Sequence, residues 1–260
     1  MMSPPSIKFS QKRFWLPITI LFFLLAIIVF GESNQSLFFT INNFSQYTGT
    51  VFWQHMTLAG DVLTLLMLIM IFIGRQAKLL WSLFTAALVC GVVVQSMKWG
   101  IQNPRPTALL DAGSYTLIGP ALSSTYSLPS GHTASATVIF TVIALYMRAP
   151  LIWIAAVLLF IGAGMSRIVL GVHWPLDVLS GIGVGWISAF IGIRWSQIWF
   201  WGLRPSGMKI ISLLLLTSAF YTLFFHNHHL PDVRWFQSGF ALLCIALSLK
   251  PIYGIWKKTS

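Results

Sequence analysis

Two histidines, three cations and one carboxylate fall in three short strings of this chain, KWGIQNPRP (98–106), PSGH (129–132) and SRIVLGVHWPLD (166–177). An imidazole can serve as nucleophile, acid or base near neutral pH, and a carboxylate can fix its tautomer. Clustered Lys and Arg suit a phosphate, whose oxygens Arg can engage in bidentate fashion. Only 8% of the residues are charged, so polar groups gathered at the ends of apolar helices are expensive and point to function. The chemistry they suggest is removal of phosphate from a lipid.

In the first string, Lys98 and Arg105 are seven residues apart, a spacing that would share one face of a continuous helix. Pro104 and Pro106 forbid that continuation, so the helix is expected to end near Gln102 with Arg105 pointing back over its end. Taken singly, Lys98 also reads as a snorkelling residue and Arg105 as a solvated one. In the second string, Ser130 is an N-cap, Gly131 lets backbone approach a ligand, and the helix N-terminus beside His132 favours an anion. The same Ser-Gly pair also reads as a cap alone. The third string is the most specific. Pro175 suits a first helical turn, and Asp177, four residues after His173, can hold an imidazole N–H and support positive charge on the ring, the arrangement of a histidine nucleophile. The plainer alternative makes Asp177 a helix cap and His173 an interfacial residue.

These strings need helices to carry them. With 57% hydrophobic residues in 260, gathered in long blocks, the chain is a polytopic membrane protein. Apolar runs cover 14–30, 56–74, 79–98, 132–148, 150–169, 176–194, 208–225 and 235–249. The last run is short enough for a re-entrant or interfacial segment. The fold class expected is therefore an all-α membrane bundle: a six-helix core over residues 1–200 and a C-terminal hydrophobic hairpin with a basic tail over 201–260, within one membrane domain. The first run reads as an uncleaved span, since GESNQ after it offers no small-x-small cleavage site. Cys90 and Cys244 lie inside apolar runs and read as packing residues.

The net charge of +11 reflects topology rather than nucleic-acid binding. With the N-terminus cytoplasmic, the inner face collects 12 of the 16 Lys and Arg residues. The outer face keeps Lys98, Arg105, Arg167 and Arg234, three of which belong to the strings, and all five acids map to the outer half. Catalysis is expected on the outer, periplasmic face of a bacterial inner membrane.

The three strings match the K-x6-RP, PSGH and SR-x5-H-x3-D signature, fixing 11 identities in order, and in this the chain resembles the type 2 phosphatidic acid phosphatase (PAP2) superfamily. The resemblance covers residues 98–177 and agrees with the six-helix layout. It implies His173 as the nucleophile of a phosphohistidine intermediate, Asp177 as its support, and His132 as the acid that protonates the leaving oxygen. Lys98, Arg105, Arg167, Ser130 and the Gly131 N–H would hold the phosphate oxygens. No metal and no cofactor are required by that scheme. The substrates it implies are undecaprenyl diphosphate, phosphatidylglycerol phosphate and phosphatidic acid, the first favoured for a bacterial source. Transfer of phosphate to a second lipid is the alternative, and an anion or lipid transporter a remote one. The partners expected are a lipid phosphate and the bilayer, with no nucleic acid; the oligomeric state is not legible. Two features fall outside the scheme. Asp61 lies within the outer part of the second apolar run, as a functional residue or a hydrogen-bonding link to a neighbouring helix, and His226, His228 and His229 form an HNHH cluster of no defensible metal-ligand spacing.

Overall fold

A computed structural model describes residues 3–6, 11–121, 126–226 and 230–257. Its regular elements are helices, with one isolated bridge between Pro104 and Tyr126. The chain enters as α1 (Lys12–Phe30), then turns by 103° into α2 (Asn34–Asn42) and α3 (Ser45–Thr48). Next come α4 (Thr50–Thr57), a 3-10 turn (Leu58–Gly60) and α5 (Val62–Met70), bent by 59°. Then α6 (Ala77–Ile101) leads through the short α7 (Pro106–Leu109) to α8 (Gly131–Met147), α9 (Pro150–Val169) and α10 (Pro175–Ser196). The hairpin α11 (Pro205–Phe224) and α12 (Pro231–Lys257) completes the chain. Proline opens α9, α10 and α11, where its missing N–H removes no intrahelical bond and its fixed φ suits the first turn.

The centre of the bundle is α8, which packs on α6, α9 and α10 and is buried along most of its length. Close approach depends on missing side chains. A Cβ on Gly185 of α10 would stand 2.5 Å from the Ala134 carbonyl oxygen, and one on Gly192 would stand 2.2 Å from Cα of Ala86. These contacts bring α10 against α8 and α6 and align the helix ends that carry the three strings. The outer helices expose apolar side chains instead, including Phe22, Phe23 and Phe30 on α1, Leu151 and Leu158 on α9, and Trp235 and Leu242 on α12. Apolar surface of that extent belongs against lipid.

Five described helices, α6 and α9 to α12, are long and apolar enough to cross a membrane, or up to seven spans if each bent pair counts as one. Two expectations from the sequence need correction. The run 56–74 is not one helix, because it breaks at Gly60 and Asp61 and restarts from an Asp61 cap. The final run is not short: α12 extends to 27 residues, through Pro251. The segment between the first two runs, for which hydropathy gave no element, forms α2 and α3. In the hairpin, α11 and α12 pack on each other and on α5.

Candidate active site

The first string ends α6 as its prolines require. Gln102 takes a left-handed conformation (φ 53°), and its N–H caps the Lys98 carbonyl. Lys98 Nζ reaches the Tyr126 carbonyl at 3.2 Å. Arg105 occupies the N-cap position of α7 and is buried, only 3% exposed. Its Nη1 donates to the Val172 carbonyl at 2.8 Å and lies 3.0 Å from Nε2 of His173. Burial pushes the guanidinium below its usual pKa, with Asp177 opposing, yet an arginine remains cationic. A solvated Arg105 does not describe this geometry, while Lys98 stays half-buried at the end of α6.

The second string opens α8. The Ser130 hydroxyl accepts from Thr133 N at 3.5 Å and from the Thr133 hydroxyl at 2.9 Å, and its N–H donates to the Asp177 carbonyl at 2.9 Å. This ties the start of α8 to the start of α10. His132, half-buried, faces the 3-10 turn so closely that a Cβ on Gly60 would lie 2.5 Å from its carbonyl oxygen.

The third string turns from α9 into α10 through Gly171 (φ 80°). Asp177, fully buried, accepts at Oδ2 from Trp174 N (2.8 Å) and from Nδ1 of His173 (3.1 Å), while Ser127 Oγ lies 3.2 Å from its Oδ1. The carboxylate therefore caps α10 and holds the histidine at once, and His173 is itself buried. Ring tautomer follows from the partners. Arginine can only donate and an ionised carboxylate only accept, so Nδ1 carries the hydrogen and Nε2 keeps its lone pair, directed at Arg105. Burial, then the charges of Arg105, Arg167 and Lys98, push the His173 pKa well below 6.5, so the imidazole is neutral at neutral pH. Arg167 donates from Nη1 to the Thr57 hydroxyl at 2.7 Å, but its buried Nε has no hydrogen-bond partner.

Arg105, His173 and Asp177 thus touch in sequence. Arg167 and His132 line an adjoining cavity of about 290 Å³ together with Thr57 and Asp61. A second, mostly apolar cavity of about 280 Å³ runs from Gly131 and His132 between α5, α6 and α8. His132 stands between the two.

Several bracing residues carry no signal in the sequence. Asn42 of α2 donates to the carbonyls of Thr116, Ile168 and Val169, and Asn34 accepts from Leu176 N. They fix the turn before His173 and the start of α10. Ser127 lies two residues before PSGH, close enough to the motif to have been considered on chain position alone. Asp61 stands at the break rather than inside a helix: it caps α5, accepting from Thr64 N, and it links to α12 through Gln237 Nε2 at 3.2 Å, the hydrogen-bonding tie to a neighbouring helix that the sequence offered. Of the HNHH histidines, His226 lines the 290 Å³ cavity, while His228 and His229 lie outside the described residues.

The family model of the PAP2 superfamily matches residues 77–201. The crystal structure of Aquifex aeolicus LpxE superimposes with a TM-score of 0.56 at 31% identity, covering 62% of this chain and 94% of that one. A transmembrane PAP2-type phosphatidylglycerolphosphate phosphatase from Bacillus subtilis superimposes with a TM-score of 0.53 over 70% of this chain and 96% of its own, at 21% identity, a likeness of fold. The lipid A 1-phosphatase of Rhizobium etli is 28% identical over 135 residues, 51% of this chain and 57% of that relative, so the match spans little more than half of the curated protein.

Proposed function

This chain belongs to the PAP2 superfamily, and from that premise we propose that it is an integral-membrane lipid phosphatase working through a phosphohistidine. The observation that carries the reading is the Arg105–His173–Asp177 contact, in which a neutral imidazole presents Nε2 to a cation cluster.

In the proposed reaction the phosphate of a lipid monoester or diphosphate enters the 290 Å³ cavity. Arg105 exchanges its bond to Nε2 for a phosphate oxygen, and Lys98, the unpartnered Nε of Arg167, Ser130 and the Gly131 N–H take the others. Nε2 of His173 attacks phosphorus, the bond to the leaving oxygen breaks, and His132, protonated once the negative charge of the bound phosphate offsets the cations around it, gives that oxygen a proton. Asp177 stabilises the positive charge left on the imidazole ring. Water then attacks the phosphohistidine and gives a proton to His132, the P–N bond breaks, and inorganic phosphate leaves with His173 neutral and His132 protonated again. Every role here belongs to a side chain or N–H of this protein.

Residues 1–200 form the catalytic six-helix core of this proposal, and residues 201–260 the appended hairpin and tail. The asymmetric distribution of Lys and Arg supports an N-terminus in the cytoplasm and a site on the outer face of an inner membrane. The lipid candidates are phosphatidylglycerol phosphate, undecaprenyl diphosphate, phosphatidic acid and a lipid A phosphate.

The test is phosphate release from these lipids by purified protein in detergent with EDTA. Wild type is expected to turn over at least one of them; His173→Ala should leave folded protein with turnover down by 10³ or more. A variant retaining most of its rate would show that the nucleophile lies elsewhere. Loss of wild-type turnover in EDTA would show that a metal takes part.

A further inference from the structure

The cavity beside the site is larger than a phosphate needs. At about 290 Å³ it approaches the roughly 300 Å³ at which pockets begin to hold whole small molecules, so the group bearing the phosphate also fits. Much of its wall comes from beyond the three motif strings: Thr57 and Asp61 at the α4–α5 break, Gly119 and Pro120 of the loop after α7, His226 and Val233 of the hairpin. Neither the break nor the hairpin lies in the segment 77–201 that the family model matches.

Asp61 places a carboxylate on that wall. Its Oδ2 receives Thr64 N at 3.0 Å, the Thr64 hydroxyl at 3.2 Å and Gln237 Nε2 at 3.2 Å. The group is therefore fixed from two helices while its second oxygen keeps acceptor capacity for a ligand. What a carboxylate can accept from a headgroup is a hydroxyl or an ammonium hydrogen. Arg167 lines the same cavity, with Arg105 and Lys98 close by, so an ammonium would be repelled before it met Asp61. A hydroxyl carries no such penalty.

Resting on the reading of the site as a lipid phosphatase, we propose that Asp61 is a specificity-determining residue. It accepts a hydrogen bond from a free hydroxyl on the group that bears the phosphate, a sugar or a glycerol. Phosphatidic acid and polyprenyl diphosphate offer no such hydroxyl, so the assignment narrows the candidate lipids to glycerol- and sugar-borne phosphates.

The experiment compares wild type and Asp61→Asn, full-length and in detergent, on phosphatidylglycerol phosphate, a lipid-linked sugar 1-phosphate, phosphatidic acid and undecaprenyl diphosphate. Asparagine still caps α5 but loses the charge. In wild type, kcat/KM for the sugar or the glycerol substrate should exceed that for the two hydroxyl-free lipids by tenfold or more, and the arm that does so identifies the hydroxyl. In the variant that ratio should fall about tenfold, mainly through KM, the worth of one charge-assisted hydrogen bond. Gln237→Leu, which leaves Asp61 in place but loosens it, should lower the ratio in the same direction by less, and carries the test if Asp61→Asn does not fold. A ratio unchanged within twofold, or a wild type that prefers phosphatidic acid or the diphosphate, overturns the role of Asp61 and leaves the phosphatase reading standing. Release from none of the four lipids overturns that reading and the assignment with it.

Discussion

The two ends of the α6–α8–α10 core bury polar groups in opposite ways. At one end, where α6 begins and α8 and α10 finish, the Ser82 hydroxyl lies 2.7 Å from Tyr146 OH and 2.6 Å from Ser196 Oγ, and Ser196 bonds in turn to the Ile193 carbonyl. These partners are uncharged and satisfy one another. At the other end the buried groups are Arg105, Arg167, His173 and Asp177, and Arg167 Nε lacks a partner. A satisfied network stabilises a fold, whereas one with a spare donor beside a cavity keeps capacity for a ligand. The same three helices thus separate a structural end from the end that carries the proposed active site, the reactive end of the proposal.

The comparison is broken most severely at the reactive end. His173→Ala should abolish turnover while thermal unfolding of the detergent-solubilised protein stays near that of wild type. Asp177→Asn should lower kcat by about 10² to 10³ through loss of the ring's charge support, and should also lower the unfolding temperature, since both buried oxygens accept hydrogen bonds and an amide NH2 in place of one sets donor against donor. Ser82→Ala sharpens the contrast from the other end: about 1–3 kcal/mol of stability should go with its buried hydrogen bonds, with kcat within twofold of wild type. The smallest effect is one of titration. NMR of labelled histidine should find His173 neutral at pH 6.5, because burial and three cations disfavour its protonated form. Arg105→Gln removes one of those cations, so the transition should move upward in pH; a downward move would show that Arg105 acts on the ring chiefly by another route.

Much of the reactive end was legible in the sequence, because each string carries its own local geometry. Prolines at 104 and 106 end α6, Ser130 caps α8, and Pro175 with Asp177 starts α10. Their meeting in space was not legible from spacing: the Arg105–His173 contact joins residues 68 apart, and the family resemblance supplied the expectation that they act together. The break at Gly60 and Asp61 was hidden for a different reason. Hydropathy averages over a window, and a single acid between strongly apolar stretches leaves the average high. Asn34 and Asn42 were invisible because their partners lie more than a hundred residues away or across a loop. The hairpin's apolar residues predicted that it sits in the membrane, but not that it walls the cavity.

The lone pair of His173 that would attack phosphorus is held at rest by Arg105. A neutral electrophile reaching the pocket would have to displace a guanidinium and offer it nothing in return. An oxyanion brings the guanidinium a substitute partner and frees the nitrogen in the same movement. In the proposed reaction the resting contact would thus act as a chemical latch: it would keep the buried imidazole inert towards stray alkylating and acylating agents, and anionic charge would be the key that releases it.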